Sequence, residues 1–353
     1  MVRQVPPTMD NKPPHQLKAE PSAQSGPENH INNIATYLYD NEILSVGRMA
    51  AGLGLSAAAV QQGLAELAAR GCILETSPQT VALQATGWPF WRFILEKACS
   101  RSSRQLGRNT LVFESIGSTN DVCLQAAGRM ANNRQPLVVL ADRQTRGRGR
   151  WGRNWTADAG QSVLMSVLLP DAALSAETLT LAAGVACAAA VERRTGCTVS
   201  LKWPNDLLID GRKLAGILIE TVPGRSETAA TRTCVLGLGL NVTQQSADFP
   251  AELCPRATSL RLATGQTWDR LAIIDALLSE LDSIARSDGV PAEIANAWKA
   301  RSQMLGQAVR VRCRGQDIRG HIADIDPLAG LVVRDHAGAN HFCPAAETTL
   351  LTE

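Results

Sequence analysis

The central part of this 353-residue sequence contains no histidine. All five histidines lie at positions 15, 30, 321, 336 and 341, so residues 31–320 have none. Histidine is the most frequent general base at neutral pH and a common metal ligand. Its absence excludes a Ser-His-Asp triad and a histidine-ligated metal from the middle of the chain. Chemistry in that region must depend on other side chains.

Paired cysteines and long apolar runs are also missing. None of the nine cysteines forms a CxxC pair, which excludes a zinc knuckle and a thioredoxin-type motif. An odd, irregular set of cysteines is typical of reduced thiols in the cytoplasm. The longest apolar run, LAAGVACAAAV (181–191), is too short to cross a bilayer, and the N-terminal residues lack the apolar stretch of a signal peptide. We therefore expect a cytoplasmic protein with no membrane partner.

A strong excess of positive charge is absent as well, since the formal net charge is only +2. A general nucleic-acid binder usually carries more. The segment RGRGRWGRNW (146–155) is therefore a local concentration, with four arginines and three glycines. It could be a disordered segment that tracks RNA, or an ordered loop that binds a phosphate or carboxylate. Its single copy between two apolar stretches favours the ordered loop.

The N-terminal third divides into a tail and a small helical unit. Residues 1–29 hold six prolines and few large apolar residues, which predicts a disordered tail. Residues 30–87 predict a winged helix-turn-helix, with two helices around a glycine-containing turn and a short hairpin after them. Ser56 is placed to be the N-cap of the second of these two helices.

The remainder of the sequence predicts an α+β fold. Helices and strands alternate over residues 88–304, and Asp210–Gly211 predicts a tight hairpin turn. Consecutive strands joined by tight turns favour an antiparallel or mixed sheet with helices on one side. Residues 305–353 contain the short strands VRVRC (309–313), IRGHIADI (318–325), LVVRD (331–335) and TTLL (348–351), separated by turns, which is typical of a small β-barrel.

Several polar residues allow both a structural and a functional interpretation. Ser118, Thr119 and Asn120 could simply cap a helix, but a helix N-terminus also presents free N–H groups to a ligand. The Asn-Asp pair of KWPND (202–206) could end a strand, or could place Asp206 beside a nucleotide. Lys213 could be a solvated lysine, although it enters an apolar strand one residue after a hairpin turn.

Two glycine-rich stretches also allow both a structural and a functional interpretation. Glycines of the arginine-rich segment allow the backbone to approach a ligand, while Arg148 and Arg150 can form bidentate bonds to phosphate oxygens. GLGLN (237–241) could be a closely packed strand or the floor of a pocket. Gly216 leaves room above the sheet for a ligand or for backbone.

Four motifs together resemble those of the bacterial biotin–protein ligases. They are STN (118–120), QTRGRGRWGRNW (144–155), KWPNDLLIDGRKLAGILIE (202–220) and GLGLN (237–241), in this order and at these separations. The resemblance extends to the helix-turn-helix region, as in the bifunctional members that also repress biotin synthesis. It implies a class II synthetase-like catalytic domain of the biotin–lipoate ligase type, an N-terminal winged helix and a C-terminal SH3-like β-barrel.

The resemblance also implies a reaction. Members of the family make biotinyl-5′-adenylate from biotin and ATP with Mg²⁺, and then transfer biotin to one lysine of the biotin carboxyl carrier protein of acetyl-CoA carboxylase. By motif position, Lys213, Arg148 and Asp206 would be catalytic. Residues implied to bind biotin or its adenylate are Ser118, Thr119, Asn120, Gln144, Arg148, Gly149, Arg150, Lys213, Gly216 and Asn241. No protein ligand to a metal is implied, and a homodimer stays open.

Elementary chemistry agrees with this reaction. A carboxylate is ionised at neutral pH, so its attack on a phosphate needs no general base, which suits a region without histidine. The reaction requires positioning and positive charge at the phosphates, which Arg148, Arg150, Lys213 and magnesium would supply. We expect the arginine loop to close over the adenylate and exclude water. Asp206 is a candidate to orient or deprotonate the acceptor lysine.

Other functions remain open at this point. The chain could act mainly as a biotin-responsive repressor, or as a lipoate-type acyl ligase. Residues 31–87 contain two arginines against four acidic residues, a net charge of −2, whereas DNA binding depends on neutralising phosphates. Operator binding is therefore disfavoured. The C-terminal AAETTLL (345–351) lacks the Gly-Glu that the family often has, which leaves a role of that segment unassigned.

Overall fold

The computed structural model describes residues 27–41, 43–129, 135–222, 232–286 and 291–351. Of the segment predicted to be a disordered tail, residues 1–26 lie outside these ranges. The last three residues, 27–29, belong to the first helix and not to a tail.

The N-terminal unit consists of three helices and a hairpin. Its elements are α1 (Pro27–Tyr39), α2 (Val46–Leu53), α3 (Ala57–Ala69), β1 (Ile73–Thr76) and β2 (Val81–Ala85). Ser56 caps α3 as predicted, because its hydroxyl accepts a hydrogen bond from the N–H of Ala59. Gly54 ends α2 in the left-handed conformation, with φ of 65°. The strands β1 and β2 are antiparallel and form a two-stranded sheet.

A seven-stranded mixed sheet forms the centre of the molecule. Its strands are β3 (Thr110–Ile116), β4 (Leu137–Gln144), β5 (Ser162–Ala172), β6 (Ser200–Lys202), β7 (Asp206–Ile209), β8 (Arg212–Thr221) and β9 (Arg232–Asn241). Their order is β3-β4-β5-β9-β8-β7-β6. Strands β3 and β4 are parallel and the other neighbours are antiparallel. The predicted α+β class with a central mixed sheet is therefore confirmed.

The predicted tight turn joins β7 to β8. Asp210 and Gly211 have φ of 49° and 72°, the pair of positive values that a two-residue type I′ hairpin turn requires. This turn pairs Lys213 of β8 with Leu208 of β7.

Helices cover both faces of this sheet. In chain order they are α4 (Trp91–Ser100), α5 (Thr119–Arg129), α6 (Ala176–Thr195), α7 (Leu260–Thr264), α8 (Arg270–Ala285) and α9 (Pro291–Arg301). On β5, Val163, Met165 and Val167 belong to the core that contains α6 and α8, whereas Leu168 packs with α5. Successive side chains of a strand point to opposite faces, so α5 lies opposite α6 and α8. The expectation of helices on one side is wrong, because the apolar run of β5 is buried on both faces.

The C-terminal residues form a separate five-stranded antiparallel sheet. Its strands are β10 (Ala308–Cys313), β11 (Gln316–Asp326), β12 (Gly330–Asp335), β13 (Asn340–Pro344) and β14 (Thr348–Leu351), in the order β13-β12-β11-β10-β14. Strand β13 was not among the strands that the sequence predicts. The indole N–H of Trp203 donates to the carbonyl of Pro327 at 3.2 Å, which ties this unit to the KWPND segment.

The helices and the cysteines can be compared with the expectations for membrane spans and for free thiols. Among the helices in the described ranges, none combines the length and the apolar character that crossing a membrane requires. All nine cysteines are free thiols, and seven of them are buried. Burial raises the pKa of Cys123 and of Cys187 to about 12, so both remain protonated at neutral pH.

Candidate functional site

Two glycines of β9 provide the floor of a pocket. Leu236, Leu238 and Leu240 belong to the core with α6, so Gly237 and Gly239 face the opposite side of the sheet. A Cβ atom at Gly237 would overlap the carboxamide of Asn120, and one at Gly239 would overlap the indole of Trp155. GLGLN therefore serves both as a closely packed strand and as a pocket floor.

A cavity of about 520 Å³ lies on this floor. The start of α5, the loop after β4, the KWPND turn, residues 248–257 and strand β14 surround it. The residues that the motifs singled out all line it, and they are Ser118, Thr119, Asn120, Gln144, Arg148, Gly149, Arg150, Asp206, Lys213, Gly216 and Asn241. Residues from five separate stretches of sequence thus meet in one place.

The arginine-rich segment is an ordered turn, which we call the basic loop (residues 144–155). The N–H of Gly149 donates to the carbonyl of Arg153 at 2.7 Å, and the N–H of Trp155 donates to the carbonyl of Gly147 at 3.0 Å. These bonds fold the loop back on itself. Its last residue, Trp155, lies against Gly239 and Gly216 of the sheet. The alternative of a flexible RNA-binding segment does not fit this packing.

Arg148 of the basic loop forms two ion pairs. Its NH1 donates to Oδ1 of Asp121 at 2.6 Å, and its NH2 donates to the carboxylate of Glu220 at 3.0 and 3.2 Å. Burial lowers the pKa of Arg148, but hydrogen bonds to Asp121 and Glu220 bring it above its ordinary value. Neither carboxylate was predicted from the sequence to belong to the site. Glu220 could have been found, because it shares a strand face with Gly216 at period two.

A second pair of charges occupies the centre of the pocket. Nζ of Lys213 lies 2.6 Å from Oδ1 of Asp206 and 5.7 Å from the ring centroid of Trp155. Strand β8 is fixed here, since the N–H of Lys213 donates to the carbonyl of Arg256 at 2.7 Å. Arg150 is beside the same carboxylate: burial lowers its pKa and Asp206 raises it. Lys213 is therefore a half-buried cation at a fixed position and not a solvated surface lysine.

Hydrogen bonds connect the start of α5 to the sheet. Oε1 of Gln144 accepts from the N–H and the hydroxyl of Thr119, at 2.7 and 3.0 Å. The hydroxyl of Ser166, on β5, lies 2.7 Å from that of Thr119 and also reaches Oδ1 of Asn120. Ser118, Thr119 and Asn120 are all buried. Ser166 was missed because nothing in its apolar strand distinguishes it before the fold is known.

Asn241 sits at the opposite end of the pocket, held by buried amides. Its Nδ2 donates to the carbonyl of Thr258 at 2.9 Å, and its Oδ1 accepts from Nε2 of Gln244 at 3.1 Å. Gln244 also donates to the hydroxyl of Ser162 at 2.6 Å. These bonds fix the carboxamide of Asn241 in one orientation. No pattern in the sequence predicted that Gln244 would take part.

Comparisons with known proteins agree with this arrangement. Residues 112–241 match the family described as the biotin/lipoate A/B protein ligase family. The bifunctional ligase/repressor BirA of Bacillus subtilis is 33% identical over 312 residues, covering 84% of this chain and 91% of that protein. This chain belongs to the biotin protein ligase family. Another relative, the biotin–[acetyl-CoA-carboxylase] ligase of Mycobacterium tuberculosis, is 38% identical over 223 residues, 61% of this chain and 79% of that protein.

Solved structures of the biotin protein ligase family are similar as well. The biotin protein ligase of Aquifex aeolicus, in complex with biotin and ATP, superimposes with a TM-score of 0.58. It is 25% identical in sequence, and the match covers 70% of this chain and all of that one.

We predict that Gly239→Ala weakens the fold by displacing Trp155. The new methyl group would overlap the indole, and overpacking of this kind costs about 1–3 kcal/mol. Urea unfolding measures the change. Gly47→Ala is a matched control in α2, because a Cβ there meets no atom within 4 Å, and it should raise stability by about 0.5–1 kcal/mol. A Gly239→Ala protein with the wild-type unfolding midpoint would contradict the packing described.

Proposed function

We propose that this protein is a biotin–protein ligase. It forms biotinyl-5′-AMP from biotin and ATP, and transfers the biotinyl group to a lysine of the biotin carboxyl carrier protein of acetyl-CoA carboxylase. The observation that carries the proposal is the convergence of all the motif residues on one cavity, in a chain whose relatives are named as biotin ligases.

Biotin would occupy the end of the cavity beside α5. Its ureido ring is polar and neutral, and its tail is apolar. The hydroxyls and amides of Ser118, Thr119, Asn120 and Gln144 offer hydrogen bonds, while the Trp155 ring supplies an apolar wall. Such a mixture of apolar surface with a few fixed polar groups is typical of small-molecule sites. Gly149 and Gly216 have no side chains that would fill this end of the cavity. Asn241 would lie at the other end, where we place the nucleotide.

The first step needs no protein base. An oxygen of the biotin carboxylate attacks the α-phosphorus of ATP, a carbon–oxygen–phosphorus anhydride forms, and the bond to the β-phosphate oxygen breaks to release pyrophosphate. Negative charge grows on the phosphate oxygens during this displacement, so fixed positive groups lower the barrier. Lys213 and Arg150 lie on the same side of the cavity, around Asp206, and would supply that charge.

The second step transfers biotin to an amine. The neutral ε-amino group of the acceptor lysine attacks the biotinyl carbonyl carbon, an amide bond forms, and AMP leaves with the electrons of the carbon–oxygen bond. The amine must lose one proton, and Asp206 is the nearest carboxylate to the catalytic Lys213. Asp206 would therefore hold Lys213 in place during the first step. In the second step it would orient the acceptor amine or accept a proton from it.

Magnesium would arrive bound to ATP. In the part of the chain that the structure describes, no cluster of three carboxylate, histidine or cysteine groups could hold a metal ion by itself. Mg²⁺ commonly keeps several waters and binds through substrate phosphates with one or two carboxylates. We therefore assign magnesium to the nucleotide, where it would neutralise phosphate charge.

The domain organisation extends this proposal. We assign residues 30–87 to a winged helix-turn-helix, residues 88–304 to the catalytic domain and residues 305–353 to an SH3-like β-barrel, and a homodimer is the assembly we would test first. Support comes from three helices followed by a hairpin, and from a sheet of five antiparallel strands at the C-terminal end of the described residues. We do not assign operator binding, because α3 presents no lysine or arginine.

Pyrophosphate release with a panel of carboxylic acids tests the activity. We predict release with ATP and biotin, and little with lipoate or octanoate. Lys213→Met should lower the rate about 10²–10³-fold, the usual effect of losing a preorganised charge at a transition state. Lys299→Met, at an exposed position of α9, is the control and should match wild type. Equal rates with lipoate, or an active Lys213→Met enzyme, would refute the assignment.

A single-turnover assay tests Asp206 separately. We predict that Asp206→Asn, given purified biotinyl-5′-AMP and carrier protein, transfers biotin at least about 10²-fold more slowly than wild type, as expected for a group that accepts a proton. Supplying the adenylate bypasses the first step, so any loss belongs to transfer. Transfer at the wild-type rate would remove Asp206 from the second step.

A gel-shift assay tests the repressor alternative. We predict no specific retardation of biotin-operon promoter DNA at about 0.15 M salt, with biotin and ATP present, because residues 31–87 carry a net charge of −2. A shift that unlabelled promoter DNA competes away, but random DNA does not, would show that the chain is also a repressor.

A further inference from the structure

Glu220 connects three elements around the pocket. It lies near the end of β8, and its Oε2 accepts hydrogen bonds from Nδ2 of Asn120 and, at 3.0 Å, from NH2 of Arg148. The first donor belongs to the start of α5 and the second to the basic loop. One carboxylate thus joins the strand, the helix and the loop.

Glu220 also determines how the Asn120 amide is oriented. An ionised carboxylate can only accept hydrogen bonds, so the amide nitrogen of Asn120 must face it. The amide oxygen then faces the hydroxyl of Ser166, which donates. Asn120 is 4% exposed, and the opposite orientation would place its amide oxygen against the carboxylate, where neither oxygen can donate a hydrogen bond. The orientation of a residue assigned to biotin therefore depends on Glu220.

The charges around Arg148 indicate a positional role for this arginine. Its single positive charge faces two carboxylates, Asp121 at 2.6 Å and Glu220 at 3.0 Å. A polyphosphate approaching this cluster would meet an excess of negative charge, whereas the neutral ring of biotin would not. Arg148 accordingly fastens the basic loop to α5 and β8, and the phosphates belong on the side of the cavity where Lys213 lies.

We propose that Glu220 is a positioning residue for biotin recognition. It fixes the Asn120 carboxamide and, through Arg148, holds the basic loop against the pocket. This inference rests on the proposed function, and it makes biotin affinity, not ATP affinity, the property that Glu220 controls.

Calorimetric titration with biotin alone, together with steady-state KM values for biotin and ATP, tests the proposal. For Glu220→Ala we expect the biotin Kd to rise about 10-fold, the loss expected when buried polar partners are left unpaired. The KM for ATP should stay within about twofold, since no contact of Glu220 reaches the phosphate side. Glu220→Gln keeps an acceptor for Asn120 and should bind biotin with a Kd between those of wild type and Glu220→Ala.

Glu192→Ala is the matched control. Glu192 pairs with Arg301 at 3.0 Å, and its side chain is 29% exposed against 28% for Glu220. Its partner does not line the pocket, whereas Asn120 and Arg148, the partners of Glu220, both do. Glu192→Ala should lose a similar amount of stability while binding biotin like wild type. If Glu220→Ala fails to fold, Glu220→Gln decides: a rise in biotin Kd of about threefold or more, with an unchanged KM for ATP, supports the proposal.

Two results would overturn the proposal. One is unchanged biotin affinity in the Glu220 variants, and the other is an equal rise in the KM for ATP and for biotin. Either result leaves the ligase assignment intact as long as the wild-type protein binds biotin and releases pyrophosphate. A wild-type protein that binds no biotin would instead refute the proposed function itself.

Discussion

The site depends on the absence of side chains at Gly237 and Gly239 of β9. Because these residues carry no Cβ, the carboxamide of Asn120 and the indole of Trp155 can lie directly on the sheet. The close approach brings the start of α5 and the end of the basic loop to the same surface. Hydrogen bonds from Thr119 to Gln144 and from Ser166 to Asn120 then fix their mutual positions. The cavity is what remains between these elements and Lys213.

Charge is divided within this cavity in a way that suits the proposed chemistry. At the α5 end, Arg148 is held by two carboxylates, so that end suits a neutral ligand. At the other end, Lys213 pairs with Asp206 and Arg150 also lines the cavity, so cations are available there to an anionic group. A reaction that joins a carboxylate to a phosphate needs positive charge beside the phosphate more than it needs a base. The absence of histidine over residues 31–320 is consistent with such a site.

The sequence predicted those features that depend on local chemistry. The Ser56 cap and the Asp210–Gly211 turn follow from preferences of a few adjacent residues, and the mixed sheet follows from strands joined by short turns. The motif residues were found because unusual residue types cluster at fixed spacing. Partners distant in sequence were not found: Arg148 and Glu220 are 72 residues apart, and no local pattern pairs them. Helices on both faces were missed although the nearly continuous apolar run of β5, which only Ser166 interrupts between Val163 and Leu169, indicates them.

The central claim is that biotin lies beside Asn120 while the phosphate lies beside Lys213. A crystal structure with bound biotinyl-5′-AMP tests it most directly. The account predicts that the biotin ring contacts residues 118–120 and Gln144, that an oxygen of the phosphate lies about 3 Å from Nζ of Lys213, and that Arg148 keeps its bonds to Asp121 and Glu220. A phosphate bonded to Arg148, with Glu220 released, would contradict the account.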